Sequence, residues 1–352
     1  MPSYPDTLRV VVATPLSEEN CALIERLEPR VSMVRDQALL PPMRHPADFA
    51  GDPGFSRSPT EQTRFDALVD SADVLYGIPD LDPAQLHRAA TANDSLKWVQ
   101  IMAAGGGAQV KAAAMNDDQL ARIVFTTTAG VHGGPLAEFA LFGILAGAKT
   151  LPRLTAQQAR HEWTDRWMMK QVSEQTVLVI GLGGIGREVA RKLSIIGATV
   201  IGTSRRGEAA PGVTRVIHPD DIVSVMGTVD AVVTTLPGTS ITEGLIGEAI
   251  FAAARPGLTV VNVGRGTVID ETALITALDS GAVGFAALDV FAFEPLPAES
   301  PLWDHPHVLV SPHTAALNES EDRLIAQLFA ENATRFLERK PLINRVDTIE
   351  FY

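Results

Sequence analysis

Apolar residues in this chain gather into short unbroken runs, and between the runs they recur at every third or fourth position. The runs have the length of buried strands, and the spaced stretches have the period of one-sided helices. In the first block, strands are predicted at 8–13, 31–34, 72–77, 96–101 and 122–126, with a helix over 17–27 for which Ser17 is the N-cap. A strongly apolar helix is predicted over 136–150, and a more polar one carrying Trp163 and Trp167 over 154–167. Further strands follow at 177–180, 199–202, 230–236, 259–263 and 284–291. This strand–helix alternation, repeated in two blocks, predicts an α/β chain whose parallel sheets are covered on both faces. The last helix, 319–338, has too little around it to form a domain and is expected to pack back on the first block.

One connection breaks the pattern. Residues 40–57 are rich in proline and glycine and too long for a plain link between strands. Arg44 and His45 there are within the size of loop that reaches an anionic substrate, but a surface loop pinned by prolines is the preferred reading.

Composition narrows the function classes. A chain of 352 residues with 46% hydrophobic content supports two domains, each with a sizeable core. The formal net charge of −13 is repelled by nucleic acid and by anionic membranes, so neither is expected as a partner. Cys21 is the only cysteine, which excludes an internal disulfide and suits packing within a helix. Residues 1–7 lack the basic and apolar stretches of a signal peptide, and the apolar run 136–148 contains Glu138 and is too short for a bilayer. A cytoplasmic protein without a metal site is the expectation.

The stretch after the strand at 177–180 carries chemistry. Gly181, Leu182, Gly183, Gly184, Ile185 and Gly186 lie between that strand and a helical pattern, the context a dinucleotide-binding turn requires. Gly181 suits the tight turn, Gly183 a close approach by pyrophosphate, and Gly186 close packing of helix on strand. The helix N-terminus then offers free N–H groups and a positive dipole end to the phosphates. The next strand ends not in a carboxylate but in Ser204, Arg205 and Arg206. Without an acidic residue to repel it, a ribose 2′-phosphate gains a hydroxyl and two guanidinium groups, so NADPH is expected over NADH.

Further stretches fit one family. The segments Asn262-Val-Gly-Arg-Gly266, Asp289-Val-Phe-Ala-Phe-Glu-Pro-Leu296, Pro301-Leu-Trp303 and Ser311-Pro-His313, with Leu236-Pro237 and Gly130-Val-His-Gly-Gly-Pro-Leu-Ala-Glu138, resemble the D-isomer-specific 2-hydroxyacid dehydrogenases. The resemblance covers nearly the whole chain. It implies two doubly wound parallel-sheet domains, with a Rossmann cofactor domain (127–317) inserted in a flavodoxin-like substrate domain (1–126 and 318–352) and substrate in the cleft between them. It further implies that Arg265 binds the substrate carboxylate, that His313 is the acid/base, that Glu294 pairs with it, and that Asp289 helps hold the nicotinamide carboxamide. Leu236, Pro237 and Val263 are placed beside the cofactor in the same way, and Ala104, Gly105 and Gly106 beside the substrate carboxylate. A homodimer, joined through 136–148 and the Trp163–Trp167 segment, is the implied assembly.

The residue types suit the chemistry independently. Reduction of a 2-keto acid puts negative charge on the carbonyl oxygen, where a histidine can deliver a proton near neutral pH. A neighbouring carboxylate orients the ring and favours its charged form, and a guanidinium matches a carboxylate in a bidentate way. At 103–107 this chain has glycines where the family commonly carries an aspartate, which leaves substrate size open. The Ser-Arg-Arg strand end looks like that of glyoxylate and hydroxypyruvate reductases. Tyr76, Met102 and Trp303 are candidates for a larger aryl substrate. Two alternatives remain: a phosphoglycerate-type dehydrogenase, disfavoured because no long extension follows Tyr352, and an NAD(H)-sensing corepressor-like binding protein on the same fold.

Overall fold

The computed structural model describes residues 7–351. Most of the segment read above as lacking signal-peptide character, residues 1–6, lies outside the described residues. The chain forms two compact units, one of Met1–His132 with Leu317–Tyr352 and one of Gly133–Ala316.

In the first unit, β1 (Leu8–Val12), β2 (Val31–Val34), β3 (Val74–Tyr76), β4 (Trp98–Gln100) and β5 (Val124–Thr126) form a parallel sheet in the order β2-β1-β3-β4-β5. Its helices are α1 (Glu18–Leu27), α2 (Pro59–Val69), α3 (Pro83–Ala92), α4 (Gly107–Ala112) and α5 (Asp117–Arg122). Local sequence explains where they begin. The Ser17 side chain accepts from the Asn20 amide at the start of α1, and Ser58 and Glu61 close a capping box on α2. Cys21 is fully buried in α1, and burial pushes its thiol up to about 11.

The second unit holds β6 (Thr176–Ile180), β7 (Thr199–Thr203), β8 (Arg215–Ile217), β9 (Ala231–Thr234), β10 (Leu258–Asn262), β11 (Val283–Leu288) and β12 (Val308–Val310). All pair in parallel, in the order β12-β11-β10-β9-β6-β7-β8. Around them lie α6 (Gly133–Ala148), α7 (Leu151–Arg160), α8 (Gly184–Ile195), α9 (Ile222–Val225), α10 (Glu248–Ala253) and α11 (Glu271–Asp279). The order reverses beside β6, which is the switch point at which doubly wound sheets bind nucleotides. Helix α12 (Glu321–Leu337) belongs to the first unit and packs on α1, as its lack of a core of its own implied.

Two expectations change. The edge strands β8 and β12 were not legible, because neither is buried as the predicted strands are: Arg215 is exposed and Val308–Val310 are only half-buried. The helix predicted over 154–167 begins earlier and stops at Arg160, where His161 takes a left-handed conformation with φ 55°. Beyond it the chain turns back: the Trp167 ring lies 3.9 Å from the Arg153 guanidinium, and its Nε1 donates to Thr150 Oγ1 at 3.1 Å. Among the described residues no single helix is long and apolar enough to cross a membrane. Helix α6 and α7 pass that test only as a pair bent by 66°, and α6 packs on β10 and β11 with half its residues buried.

Candidate active site

The glycine turn leaves β6 with Gly181 at φ 99° and enters α8 at Gly184. A methyl group on Gly186 would stand 1.8 Å from the Gly181 carbonyl oxygen, so only glycine lets α8 start this close to the strand. Gly183, by contrast, faces open space. The Gly181 amide donates to Thr203 Oγ1 at 2.9 Å and the Gly181 carbonyl accepts from Thr235 Oγ1 at 2.8 Å, which fixes the turn from both neighbouring strand ends. No side chain caps α8, so its first N–H groups are left for a ligand. Leu182 and Val263 are buried in the core, so the ligand-facing part of each is backbone, while Ile185 is half-buried against the same cluster. Leu236 lies under Gly181, and the Pro237 carbonyl accepts from Thr242 Oγ1 at 2.7 Å.

At the end of β7, Ser204 Oγ accepts from the Arg206 amide at 3.2 Å, which leaves its own O–H free to donate. Arg205 and Arg206 are exposed, and among the described residues neither guanidinium makes an ion pair or a hydrogen bond. An open glycine cradle with two unpaired cations beside it fits a phosphorylated dinucleotide.

The second cluster hangs from the ends of β10 and β11. Asn262, 1% exposed at the end of β10, accepts from the Gly264 amide and donates to the Arg265 carbonyl, both at 3.0 Å, and so shapes the turn that presents Arg265. A methyl on Gly266 would meet the Phe291 carbonyl carbon at 1.8 Å. That contact holds the turn against the loop carrying Glu294. Glu294 Oε1 accepts from the Phe291 amide at 2.9 Å, and Oε2 pairs with His313 Nδ1 at 2.7 Å. Burial raises the Glu294 carboxyl, but bonds from His313 and the Phe291 amide, with the charges of His313 and Arg265, outweigh it and leave the group below its ordinary value.

His313 itself stands at φ 53°, a left-handed conformation uncommon outside glycine. Asp289 holds it there. Its Oδ1 accepts from Ser311 Oγ at 2.5 Å, from the Thr314 amide at 2.9 Å and from the Ala315 amide at 3.0 Å, while its carbonyl accepts from the His313 amide. Asp289, 1% exposed, is therefore the anchor of the histidine loop, whatever else it holds.

Other sequence candidates fall elsewhere. Tyr76 is fully buried, its ring edge-on to Phe329 at 5.1 Å, and Met102 is 5% exposed; both belong to the first unit's core, not to a substrate wall. Trp303 is half-exposed, with Nε1 donating to the Pro297 carbonyl. Arg44 is engaged by Asp48, whose carboxyl it holds well below the usual range, and His45 Nδ1 contacts the Pro46 carbonyl, so the pinned-loop reading of this stretch fits. Ala104, Gly105 and Gly106 form the loop between β4 and α4 of the first unit, with the first two exposed and Gly106 buried on Ile101. Sequence reasoning gave no role to Thr203, Asn262 or Ser311. Thr203 and Asn262 are polar residues closing apolar strands, a readable signal for a side chain that shapes the following turn.

Sequence comparison agrees with this geometry. The profile of the D-isomer specific 2-hydroxyacid dehydrogenase NAD binding domain matches residues 141–315. The chain belongs to the D-isomer-specific 2-hydroxyacid dehydrogenase family. Within it, the chain is 33% identical over 270 residues to the D-3-phosphoglycerate dehydrogenase of Mycobacterium tuberculosis, a match covering 72% of this chain and 50% of that protein. Two solved relatives are similar over almost their full lengths. A D-isomer specific 2-hydroxyacid dehydrogenase from Xanthobacter autotrophicus Py2, in complex with NADPH and MES, superposes with a TM-score of 0.75 at 28% identity, over 98% of this chain and 100% of that one. The NADPH-dependent glyoxylate/hydroxypyruvate reductase of Sinorhizobium meliloti, with NADP and sulfate, gives 0.74 at 26%, over 98% and 100%. Its apo form aligns at 34% identity over 53% of this chain and 94% of that one, with a TM-score of 0.50. Like the other dehydrogenases of this family, the chain carries an NAD-binding domain and acts as an NAD(P)-dependent oxidoreductase.

Proposed function

We propose that the protein reduces a 2-keto acid to the D-2-hydroxy acid with NADPH in preference to NADH, and catalyses the reverse oxidation. The observation that carries this reading is the 2.7 Å pair between His313 Nδ1 and Glu294 Oε2. It commits Nδ1 to the carboxylate and leaves Nε2 as the atom that exchanges a proton with substrate oxygen. Glu294, whose carboxyl lies below its ordinary value, holds the ring through Nδ1 and so aims Nε2 at the substrate oxygen. In the oxidation direction the same Nε2 takes the hydroxyl proton. We assign Arg265 to the substrate carboxylate, where its planar fork donates to both oxygens and its charge offsets the negative charge developing next to them. The 104–106 loop is the part of the first unit assigned to substrate.

Bound at the glycine turn, the nicotinamide cofactor supplies the hydride. The uncapped start of α8 takes the pyrophosphate, and Ser204, Arg205 and Arg206 take the 2′-phosphate. The NADPH and NADP complexes of the Xanthobacter and Sinorhizobium relatives support this assignment. The latter's name makes glyoxylate and hydroxypyruvate the first substrates to test. We further propose a homodimer through the second unit, where Phe142 and Leu145 of α6 stay partly exposed and Trp163 and Met168 of the following arm are fully so.

The first experiment follows absorbance of the reduced nicotinamide with NADPH or NADH against glyoxylate, hydroxypyruvate, pyruvate and phenylpyruvate. Turnover with NADPH and one of these acids is expected. His313→Gln should lower kcat by at least about 100-fold while cofactor affinity is kept. Near-normal turnover would remove His313 from the reaction, and turnover with NADH alone would overturn the cofactor assignment.

A further inference from the structure

The loop that follows β7 carries charges of both signs within a few residues. Ser204, Arg205 and Arg206 are followed, after Gly207, by Glu208. The chain turns there: Gly207 stands at φ 66°, and its amide donates to the Ser204 carbonyl at 3.4 Å. A carboxylate so near a phosphate site works against it twice, by pairing with the arginines and by repelling the dianion. At a separation of about 8 Å in water, the repulsion alone is worth about fivefold in affinity for a group bearing two negative charges. Left to itself, Glu208 would undo much of what Arg205 and Arg206 offer.

Arg187, in the first turn of α8 directly after Gly186, engages that carboxylate. Its Nη2 donates to Glu208 Oε2 at 3.2 Å, its Nη1 to the Ala209 carbonyl at 3.4 Å, and its Nε to the Leu182 carbonyl at 2.9 Å. One side of the guanidinium is thus fixed on the glycine turn and the other on the arginine loop. Among the described residues, no other side chain from outside 204–209 hydrogen-bonds to residues 205–209. Further along, Ala210 is buried, and a methyl on Gly212 would stand 2.9 Å from the Ala190 carbonyl oxygen, so the far end of the loop lies on α8 itself. The one carboxylate within α8, Glu188, is paired in a similar way, with Nε and Nη2 of Arg191 both at 2.7 Å. On this surface the acidic groups have partners, and Arg205 and Arg206 do not.

We propose that Arg187 is a positioning residue for cofactor choice: by clasping Glu208 it keeps Arg205 and Arg206 free for the 2′-phosphate. The inference rests on the assignment of those two arginines to that phosphate. A part-exposed ion pair of this kind adds little to stability, so its consequence lies in where it holds a negative charge. The effect falls on NADPH and spares NADH, which has an uncharged hydroxyl in place of the phosphate. Arg187 itself takes no part in hydride or proton transfer; it acts through the charge of Glu208.

The test is calorimetric titration of the full chain, at low salt, with adenosine 2′,5′-bisphosphate and with 5′-AMP. The ratio of the two affinities reads the 2′-phosphate alone and needs no turnover, so it is independent of which keto acid is reduced. Arg187→Gln should lower that ratio about fivefold, and the loss should fade in about 0.5 M salt. Glu208→Gln should keep the ratio at or above the wild-type level. In the double variant Arg187→Gln/Glu208→Gln the ratio should return to within about twofold of wild type, a rescue that a merely structural role for Arg187 would not produce. The buried face of α8 is formed by Gly186, Val189, Ala190 and Leu193, so replacing the part-exposed Arg187 leaves its packing in place. An unchanged ratio in Arg187→Gln, or a loss that persists in the double variant, would overturn the proposal. A wild type that does not favour the bisphosphate would overturn the cofactor assignment and this inference with it, whereas a preference that survives Arg187→Gln would overturn this inference alone.

Discussion

At Gly266 the backbone of one loop rests on the backbone of another, and the chemistry of Arg265 and Glu294 depends on that contact. An added methyl there meets the carbonyl carbon of Phe291, which cannot move without dragging the segment that carries Glu294. Gly266→Ala is therefore expected to cost about 3 kcal/mol in urea unfolding and to cut turnover in whatever protein still folds. A variant with wild-type stability would contradict this packing. The same site shows what a sequence can and cannot disclose. The pair that Glu294 and His313 form was legible because it rests on residue type and on ordered motifs, and the same motifs are what single out Arg265 for the role proposed above. Ser311 was not, because its work is to hold Asp289 beneath the histidine loop, and that is visible only once the strand ends are side by side. Two of the candidates for a larger aryl substrate have a related explanation: Tyr76 and Met102 are apolar enough for a cleft, and burial places them in a core instead.

Among the elements, the link from α1 to α12 is electrostatic as well as apolar. Glu28, just past α1, accepts from Arg30 Nε and Nη2 and from Thr334 Oγ1 of α12, each at 2.7 Å. Although burial opposes it, the hydrogen bond from Arg30 dominates and lowers the Glu28 carboxyl from 4.5 to about 2. A depressed carboxyl contributes its stability above its unfolded value and loses it as the pH falls toward the folded one. Glu28→Gln should accordingly destabilise the protein by about 2 kcal/mol at pH 7. The gap from wild type should close between pH 4.5 and 2. A gap independent of pH in acid unfolding curves would exclude this origin. The helical period predicted α1 and α12 well because each has one face to bury. It failed at 161–167, where Trp163 and Trp167 kept the spacing of a helix while the left-handed turn at His161 had already ended it.

For the molecule as a whole, the exposed apolar groups of the second unit carry a prediction about assembly. Phe142 and Leu145 are 47% and 39% exposed on a helix whose other face is core. Replacing both with glutamate should turn the expected dimer into a monomer in light scattering, because the charges would have to be buried unpaired; a wild-type monomer at every concentration would end the proposal. The parallel sheets in two blocks followed from strand–helix alternation, but β8 and β12 did not, since these outer strands of the second sheet are only partly buried.

The discontinuity of the first unit has a temporal side. The face of Trp98 is covered by Phe329 at 4.7 Å and Phe336 at 5.8 Å, both on the last helix. During synthesis β4 leaves the ribosome with that ring bare, and all of Gly133–Ala316 must follow before its cover is made. The unit begun first is the one finished last, and the second unit, continuous in sequence, has time to fold while its neighbour waits.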